Sequence, residues 1–136
     1  GRLNYESLSQ QALMEMVVGQ MSDYNLNEFK DDNGNFLDLA EWNDVAFDAD
    51  GKVEAIEWSD TVEENFKRSN EGQILLEWLP DTVERFNLNN RGFEGVLEAK
   101  KLPRRMTTFI VANNRLTGHV ILADLPEGIT NFEVCQ

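Results

Sequence analysis

Side chains able to support catalysis are scarce in this sequence. His119 is the single histidine and Cys135 the single cysteine among 136 residues. A structural zinc site needs four cysteine or histidine ligands, so none can form within the chain. A nucleophilic Cys–His pair also needs a third residue to orient the base, and no such residue is evident. The sequence therefore predicts neither a zinc site nor an enzyme.

Two acidic stretches have part of the spacing of calcium ligands. Asp31, Asn33 and Asn35 alternate like calcium ligands, but Phe36 stands at position six, where a calcium loop needs glycine. The second stretch is residues 48–51. If Gly51 is aligned at position six of a calcium loop, Ala46 falls at position one, which needs a carboxylate. Both stretches are predicted to be turns. With no glycine-rich phosphate loop in the chain, we expect no metal or cofactor site.

The strongest pattern is a 23-residue repeat in the second half of the chain. The Leu-Pro pairs are Leu79-Pro80, Leu102-Pro103 and Leu125-Pro126, and four columns keep the same step: Val83, Met106 and Ile129; Phe86, Phe109 and Phe132; Leu88, Val111 and Val134; and Gly72, Gly95 and Gly118. Such a period predicts a solenoid, in which each unit buries its apolar face against the next.

The repeat resembles the leucine-rich repeat, whose template is L-x-x-L-x-L-x-x-N-x-L. The second copy matches this template at Met106, Phe109, Val111, Asn114 and Leu116. The resemblance implies an α/β fold, namely a short solenoid with a parallel sheet and an irregular convex side. It also implies that Asn114 points inward and forms hydrogen bonds with backbone groups of adjacent coils.

The first copy departs from the template, because Arg91 stands where asparagine is expected. A buried guanidinium is costly without a partner. We therefore expect this coil to be locally irregular, with Asn90 as a candidate for the polar role. On this reasoning, Arg91→Asn should be neutral or stabilising.

Upstream, residues 42–58 resemble the amino-terminal cap of plant-type and protist leucine-rich repeat proteins, with the pattern W-x-x-V-x-C-D-x-x-G-x-V-x-x-L-x-L. Asp48 and Gly51 are turn formers between two strand-like runs and predict a hairpin. Phe47 stands at the cysteine position of the family pattern, and Cys135 is the only thiol, so no intrachain disulfide is possible. The compartment stays unknown, but this favours the interior of a cell or organelle over the extracellular space.

The residues before the hairpin are predicted to supply the helices of the cap. Ser7 and Gln10 form a possible capping box in front of apolar residues at helical spacing. Gly19 or Ser22 is expected to end this helix. Asn27 is expected to cap a short second one that carries Phe29.

We expect a single domain over residues 1–136. Residues 1–52 form the helical cap and hairpin, and residues 53–136 form leucine-rich repeats, of which the last is incomplete. The spacing from Trp58 to Gly72 is seven residues longer than in the later copies. Residues 61–70 are therefore predicted to make a longer, partly helical excursion.

Two surfaces are candidates for binding a partner. A parallel sheet places alternate strand residues on its concave side, and the predicted concave residues are Glu57, Arg85, Asn87, Asn89, Thr108, Ile110, Ala112, Asn131 and Glu133. An equally weighted alternative is that this face of the sheet is merely exposed to solvent and binds no partner. The second candidate is the exposed edge at Phe132, Val134 and Cys135, which further repeats or a partner should cover.

Charge is distributed unevenly along the chain. Residues 1–79 carry 18 acidic and 5 basic side chains, and residues 80–136 carry seven of each. The acidic part would repel phosphate backbones, so nucleic-acid binding is disfavoured. A basic cluster is formed by Lys100, Lys101, Arg104 and Arg105. The preferred interpretation is a solvated loop, and the minority interpretation is a peripheral contact for an acidic partner or lipid head group. No apolar run approaches the roughly 20 residues of a membrane span.

These observations favour a non-catalytic protein-interaction or structural subunit of a larger assembly. The alternative is the amino-terminal part of a longer receptor-like or effector array, which would recognise a peptide or glycan on its concave face. The sequence leaves the identity of the partner open under both hypotheses.

Overall fold

The chain folds as an α/β protein with few helices and a mostly parallel sheet, and the computed structural model describes residues 8–61 and 69–135. The helices are α1 (Gln10–Val18) and α2 (Asp23–Leu26), and the strands are β1 (Val45–Phe47), β2 (Val53–Glu57), β3 (Arg85–Asn87), β4 (Glu94–Val96), β5 (Thr108–Ile110), β6 (Arg115–Thr117) and β7 (Asn131–Glu133). Short 3₁₀ turns lie at Asn27–Phe29, Leu39–Glu41, Leu76–Trp78, Ala99–Lys101 and Leu122–Asp124. Most of the predicted excursion at 61–70 lies outside the described residues.

The main sheet has five strands in the order β1-β2-β3-β5-β7. β1 is antiparallel to β2, and every later neighbour is parallel. Phe86 is level with Phe109, which is level with Phe132, so the strands advance by one sequence repeat without a shift in register. β4 and β6 form a second, two-stranded parallel sheet.

Each Leu-Pro pair follows a 3₁₀ turn and begins a second turn. The carbonyls of Pro80, Pro103 and Pro126 accept hydrogen bonds from Val83, Met106 and Ile129 at 3.1, 3.2 and 3.2 Å. Proline has no N–H and cannot continue a helix, which explains why the 3₁₀ turn stops before it. The Leu-Pro column thus sets the point at which the chain turns back toward the next strand.

A column of phenylalanine rings forms the centre of the core. Phe86 and Phe109 are fully buried and stack with ring centroids 5.7 Å apart. Phe109 and Phe132 stack at the same 5.7 Å, but Phe132 is only partly buried. The edge of Trp58 packs against Phe86 at 6.4 Å and joins this column to the aromatic core of the cap.

The helix caps differ from those predicted. Ser9 caps α1, its hydroxyl accepting from Ala12 N at 3.1 Å, whereas the predicted cap Ser7 lies outside the described residues. α1 ends at Gly19, as expected. Ser22 caps α2, which precedes the predicted short helix. A short 3₁₀ turn that carries buried Phe29 does begin at Asn27, as predicted, but the side chain of Asn27 does not cap it. Serine at each cap satisfies a backbone N–H that would otherwise lack a partner.

The predicted hairpin is confirmed between β1 and β2. One oxygen of Asp48 accepts hydrogen bonds from Asp50 N at 2.8 Å and Lys52 N at 3.0 Å. Gly51 has φ +75°, a left-handed conformation that glycine adopts without strain. Gln10 of α1 accepts from Val53 N at 3.0 Å and donates to Gly51 O at 2.8 Å, so this residue attaches the helix to the hairpin.

Glycine is required where consecutive segments approach most closely. Gly118 has φ +116°, and a Cβ at this position would overlap the carbonyl oxygen of Leu97, one repeat earlier. Gly72 has φ +94°, and a Cβ there would overlap the backbone of Met21 and Ser22. The glycine column therefore permits close packing between repeats and between the repeats and the cap.

Candidate interaction surfaces

The predicted concave residues share one face of the five-stranded sheet. Glu57 is level with Asn87, Asn87 with Ile110, and Ile110 with Glu133. We call these four residues the concave column. The side chains between them in the strands, Ile56, Phe86, Phe109 and Phe132, point into the core. The second predicted column, Arg85, Thr108 and Asn131, is level in the same way.

Exposure and chemistry differ along this face. Glu57, Arg85, Asn131 and Glu133 are exposed, while Asn87, Asn89, Thr108, Ile110 and Ala112 are half-buried. Arg85 forms an ion pair with Glu54 at 3.4 Å. The carboxylates of Glu57 and Glu133 lie at the two ends, and Ile110 is an apolar residue between them. The surface is mixed in character and has no dominant charge.

Asn87 and Asn89 fix the backbone just after β3. Asn87 Oδ1 accepts a hydrogen bond from Asn89 N at 3.0 Å. Asn89 Oδ1 is itself buried and has no hydrogen-bond partner among the described residues. Asn89 is therefore turned partly inward and contributes less to the concave surface than its place in the alternation predicts.

The repeat that ends in β7 leaves apolar side chains uncovered. Leu122 is 75% exposed, whereas Leu76 and Ala99 at the equivalent positions are 2% and 4% exposed. Ile129 and Phe132 are partly buried, although their equivalents in the two earlier repeats are fully buried. We call Leu122, Ile129 and Phe132 the β7-repeat surface. Phe132 was predicted from the sequence, but Leu122 was missed. The one signal for Leu122 was its alignment with Leu76 and Ala99 in the 23-residue repeat.

The other predicted edge residues lie beside this surface. Val134 is partly buried, and the thiol of Cys135 is free and exposed. Cys135 O accepts from Asn113 N at 2.9 Å, so its backbone faces β5 while its side chain faces solvent. The structure therefore places Cys135 beside the apolar surface, whereas the sequence had grouped it with Phe132 and Val134.

Arg91 is held by partners in both the repeats and the cap. Its Nη1 donates to Trp58 O at 2.7 Å, and its Nη2 lies 3.3 Å from Asn25 Oδ1. The guanidinium also lies over the ring of Phe93, 5.1 Å from the centroid. Asn25 in turn donates to Glu71 Oε2 at 2.7 Å. Arg91 therefore links the cap to the first repeat.

Asn90 does form side-chain hydrogen bonds between repeats, but it forms them outside the buried interior. Asn90 has φ +64°, and its Nδ2 donates to Asp60 O at 3.0 Å. Asn113, one repeat later, has φ +59° and donates through its own side chain to Asn90 Oδ1. These two residues thus form an outer ladder, because asparagine tolerates the left-handed conformation of the turn.

Much of the predicted basic cluster is engaged within the fold. Arg104 donates to the carbonyls of Leu102, Ala99 and Asp124, and the last of these belongs to the next repeat. Lys101 pairs with Glu98 at 3.3 Å. Lys100 and Arg105 are exposed and are the members of the cluster best placed for a peripheral contact.

Side chains with reactive or metal-binding chemistry are dispersed. His119 and Cys135 are both exposed, and among the described residues no group of three or more His, Cys, Asp or Glu side chains could hold a metal ion. Asp31 Oδ1 accepts from Asn33 N at 2.9 Å and Asn35 N at 3.0 Å, so this carboxylate caps its own turn. Across 8–61 and 69–135, no helix has the length and apolar character needed to cross a bilayer.

Comparisons of the chain with protein-family models, with curated proteins and with solved structures found no match.

Proposed function

We propose that this chain is a leucine-rich-repeat module without catalytic activity that serves as a protein-interaction or structural subunit of a larger assembly. The strand-to-strand step of one sequence repeat and the inward Asn114 support the repeat assignment. The acidic cap makes a nucleic acid an unfavourable partner and leaves protein as the favoured class.

The observation that carries this proposal is the exposure of Leu122. Leu122 is 75% exposed and Ile129 and Phe132 are partly buried, whereas their equivalents in the two earlier repeats are buried, so the repeat that ends in β7 has exposed apolar surface. Exposed apolar surface of this kind is often covered in contacts between macromolecules. An assembly partner, or further repeats of the same chain, would bury this surface as Leu76 and Ala99 are buried.

The second candidate is recognition of a peptide or glycan on the concave face, as part of a longer array. The specific observation in its favour is the concave column, where half-buried Asn87 and Ile110 lie between two carboxylates. This combination offers both hydrogen-bonding and apolar contacts to an extended ligand.

One experiment separates the two candidates. The tagged polypeptide is recovered from its source as wild type, as Leu122→Glu and as Ile110→Glu, and its native size is measured by light scattering. We expect the wild type and Ile110→Glu to elute in a particle well above the mass of the tagged polypeptide itself and Leu122→Glu to elute alone. Release by Ile110→Glu instead would favour the concave-face function. A wild-type polypeptide that elutes alone at its own mass would contradict the subunit proposal.

A further inference from the structure

The cap contains a small open cavity between the start of α1 and the β1–β2 hairpin. Its volume is about 280 Å³, and it is lined by residues 10, 11, 38–40, 47 and 51, all of which precede the repeats. We call it the cap cavity. Pockets for small molecules span roughly 300–1,000 Å³, so the cap cavity is at the lower limit of this range and has room for one long side chain.

The two glutamines that line the cap cavity are committed to the fold. Gln10 joins α1 to the hairpin through the two hydrogen bonds described above. Gln11 Nε2 donates to Leu37 O at 3.1 Å, and Gln11 Oε1 accepts from Leu39 N at 2.7 Å. These amide groups therefore hold the walls of the cavity together.

Asp38 supplies the one ionisable side chain that the described residues contribute to the lining. Its Oδ1 accepts a hydrogen bond from Ala40 N at 3.0 Å and so caps the 3₁₀ turn at Leu39–Glu41. Its Oδ2 has no hydrogen-bond partner within 8–61 and 69–135, and the side chain is exposed. The uncommitted polar group at the cavity is thus a carboxylate oxygen, which accepts hydrogen bonds and carries negative charge.

Leu39, Ala40 and Phe47 supply the apolar part of the lining. Phe47 is partly buried, and no cation of the described part of the chain lies over its ring. Elsewhere in the fold the guanidinium of Arg91 lies over the ring of Phe93, 5.1 Å from the centroid. An aromatic ring and a carboxylate at one cavity match the same kind of group, namely a cation on an apolar stem.

The charge around the cap cavity favours a cation over an anion. Residues 8–61 carry 13 acidic and 2 basic side chains, a net charge of −11. The first turn of α1 attracts anions, but its dipole is equivalent to only about half an elementary charge. The acidic surroundings therefore raise the local concentration of cations. A guanidinium is favoured over an ammonium, because it stacks on an aromatic face while it donates hydrogen bonds in its own plane.

We propose that the cap cavity binds an arginine side chain of a partner polypeptide, whose guanidinium donates to Asp38 and whose methylene groups pack on Phe47. This inference rests on the proposed function and specifies one contact of the partner. Phe47 belongs to β1, at the opposite edge of the main sheet from β7. The contact is therefore separate from the β7-repeat surface and can be tested without it.

A pair of probes that differ in charge tests the site. The intact 136-residue chain is titrated with N-acetyl-arginine methylamide, and the amides of Leu39 and Gly51 are followed by NMR. N-acetyl-citrulline methylamide is the matched probe, because its side chain has the same shape without the charge. The arginine probe should bind at least about tenfold more tightly than the citrulline probe, and added salt should reduce the difference. Equal affinities, or tighter binding of the corresponding glutamate derivative, would overturn the inference.

Variants of the chain locate the charge that the probe recognises. Asp38→Asn keeps the oxygen that accepts from Ala40 N and should weaken the arginine probe roughly tenfold without affecting the citrulline probe. Asp32→Asn removes an equal charge from an exposed position outside the lining and should weaken it by less than about twofold. Phe47→Leu keeps an apolar wall without the ring and should weaken it about threefold. Equal effects of Asp38→Asn and Asp32→Asn would show that only the net charge attracts the probe and would overturn the site.

The free chain provides a test of occupancy. Nuclear Overhauser contacts of the Phe47 ring are recorded before any probe is added. The expected contacts are with the other lining residues alone. Contacts with residues 1–7 would identify the chain itself as the occupant of the cavity and overturn the inference.

The outcomes separate this inference from the proposed function. If the arginine probe does not bind while Leu122→Glu still releases the chain from its assembly, the cavity inference is wrong and the subunit function stands. If the probe binds as expected but the wild type elutes alone from its source, the arginine site stands and the subunit function is wrong. In the assembly, the Asp38→Asn particle should dissociate at a lower salt concentration than the wild-type or Asp32→Asn particle. Equal salt resistance of all three would show that no partner arginine occupies the cavity.

Discussion

Arg91 and Asn114 make equivalent hydrogen bonds in consecutive repeats. Asn114 Nδ2 donates to Leu88 O at 2.9 Å, and Arg91 Nη1 donates to Trp58 O at 2.7 Å. Trp58 and Leu88 each lie directly after a strand, at equivalent positions of the register. The longer arginine side chain therefore supplies the donor half of the role of the inward asparagine and also reaches Asn25 in the cap.

The additional contacts of Arg91 reverse the expectation for Arg91→Asn. The shorter side chain would lose the contact with Asn25 and the packing on Phe93. We now predict a loss of about 1–3 kcal/mol in the free energy of unfolding, the range for a buried group left without its partner. Urea denaturation followed by tryptophan fluorescence measures this value. A variant as stable as the wild type would support the original sequence-based expectation.

Asn114→Leu should destabilise the protein by at least about 2 kcal/mol, because buried groups that lose a partner cost about 1–3 kcal/mol each. The amide oxygen of Asn114 accepts from Phe93 N at 3.0 Å, and its Nδ2 donates to Leu88 O and Val111 O, both at 2.9 Å. Arg115→Leu changes an exposed neighbour and serves as the control in the same denaturation experiment. Equal stability of the two variants would show that the buried hydrogen bonds are unimportant.

Phe109→Ala should lower the free energy of unfolding by about 3–5 kcal/mol, the usual cost for a buried phenylalanine. The ring is fully buried between Phe86 and Phe132, with centroid distances of 5.7 Å on both sides. Phe132→Ala should cost less, because Phe132 is covered on one side only. Calorimetry of both variants tests the order, and a larger loss for Phe132→Ala would contradict the burial gradient.

Gly118→Ala should destabilise by about 1–3 kcal/mol, as is typical of a residue forced into an unfavourable backbone conformation. Gly118 has φ +116°, and the added methyl group would overlap Leu97 O. Gly128 has open space around its Cβ position, so Gly128→Ala is the matched control and should change stability by less than about 0.5 kcal/mol. Thermal unfolding of the two variants side by side decides this prediction.

Arg104→Ala should lower stability by about 1–2 kcal/mol, because charge-assisted hydrogen bonds contribute more than neutral ones. Arg104 donates to carbonyls in its own repeat and to Asp124 O in the next. Arg105→Ala removes an equal charge from an exposed position and should leave stability nearly unchanged. If both variants unfold at the same urea concentration, Arg104 is a surface residue with no structural role.

The sequence predicted the α/β class, the parallel sheet and the alternation of residues along its strands. The hairpin turn followed from Asp48 and Gly51, whose conformational preferences are local. The helix caps were less predictable, because serine and asparagine occur at several adjacent positions and packing against the hairpin selects among them. Ser9 caps the first helix where Ser7 was expected, and Ser22 caps an additional helix, α2, directly before the predicted short helical turn at Asn27.

The candidate binding surfaces were predicted only in part. The period-two alternation places Glu57, Asn87 and Ile110 on one face, and the structure has them level. Sequence spacing carries no information on how deeply a side chain is covered. For this reason the inward turn of Asn89 and the 75% exposure of Leu122 both escaped prediction.

The sequence by itself determined which residues share a column, because side chains that stack in consecutive parallel strands must recur at the interval of 23 residues. Tertiary structure alone decided how Arg91, which replaces the asparagine of the repeat template, is accommodated. Arg91 takes its partners from Trp58 and Asn25, which lie 33 and 66 residues away in the chain. No local pattern encodes such contacts, since they depend on how the cap packs against the first repeat and on how far a guanidinium can reach.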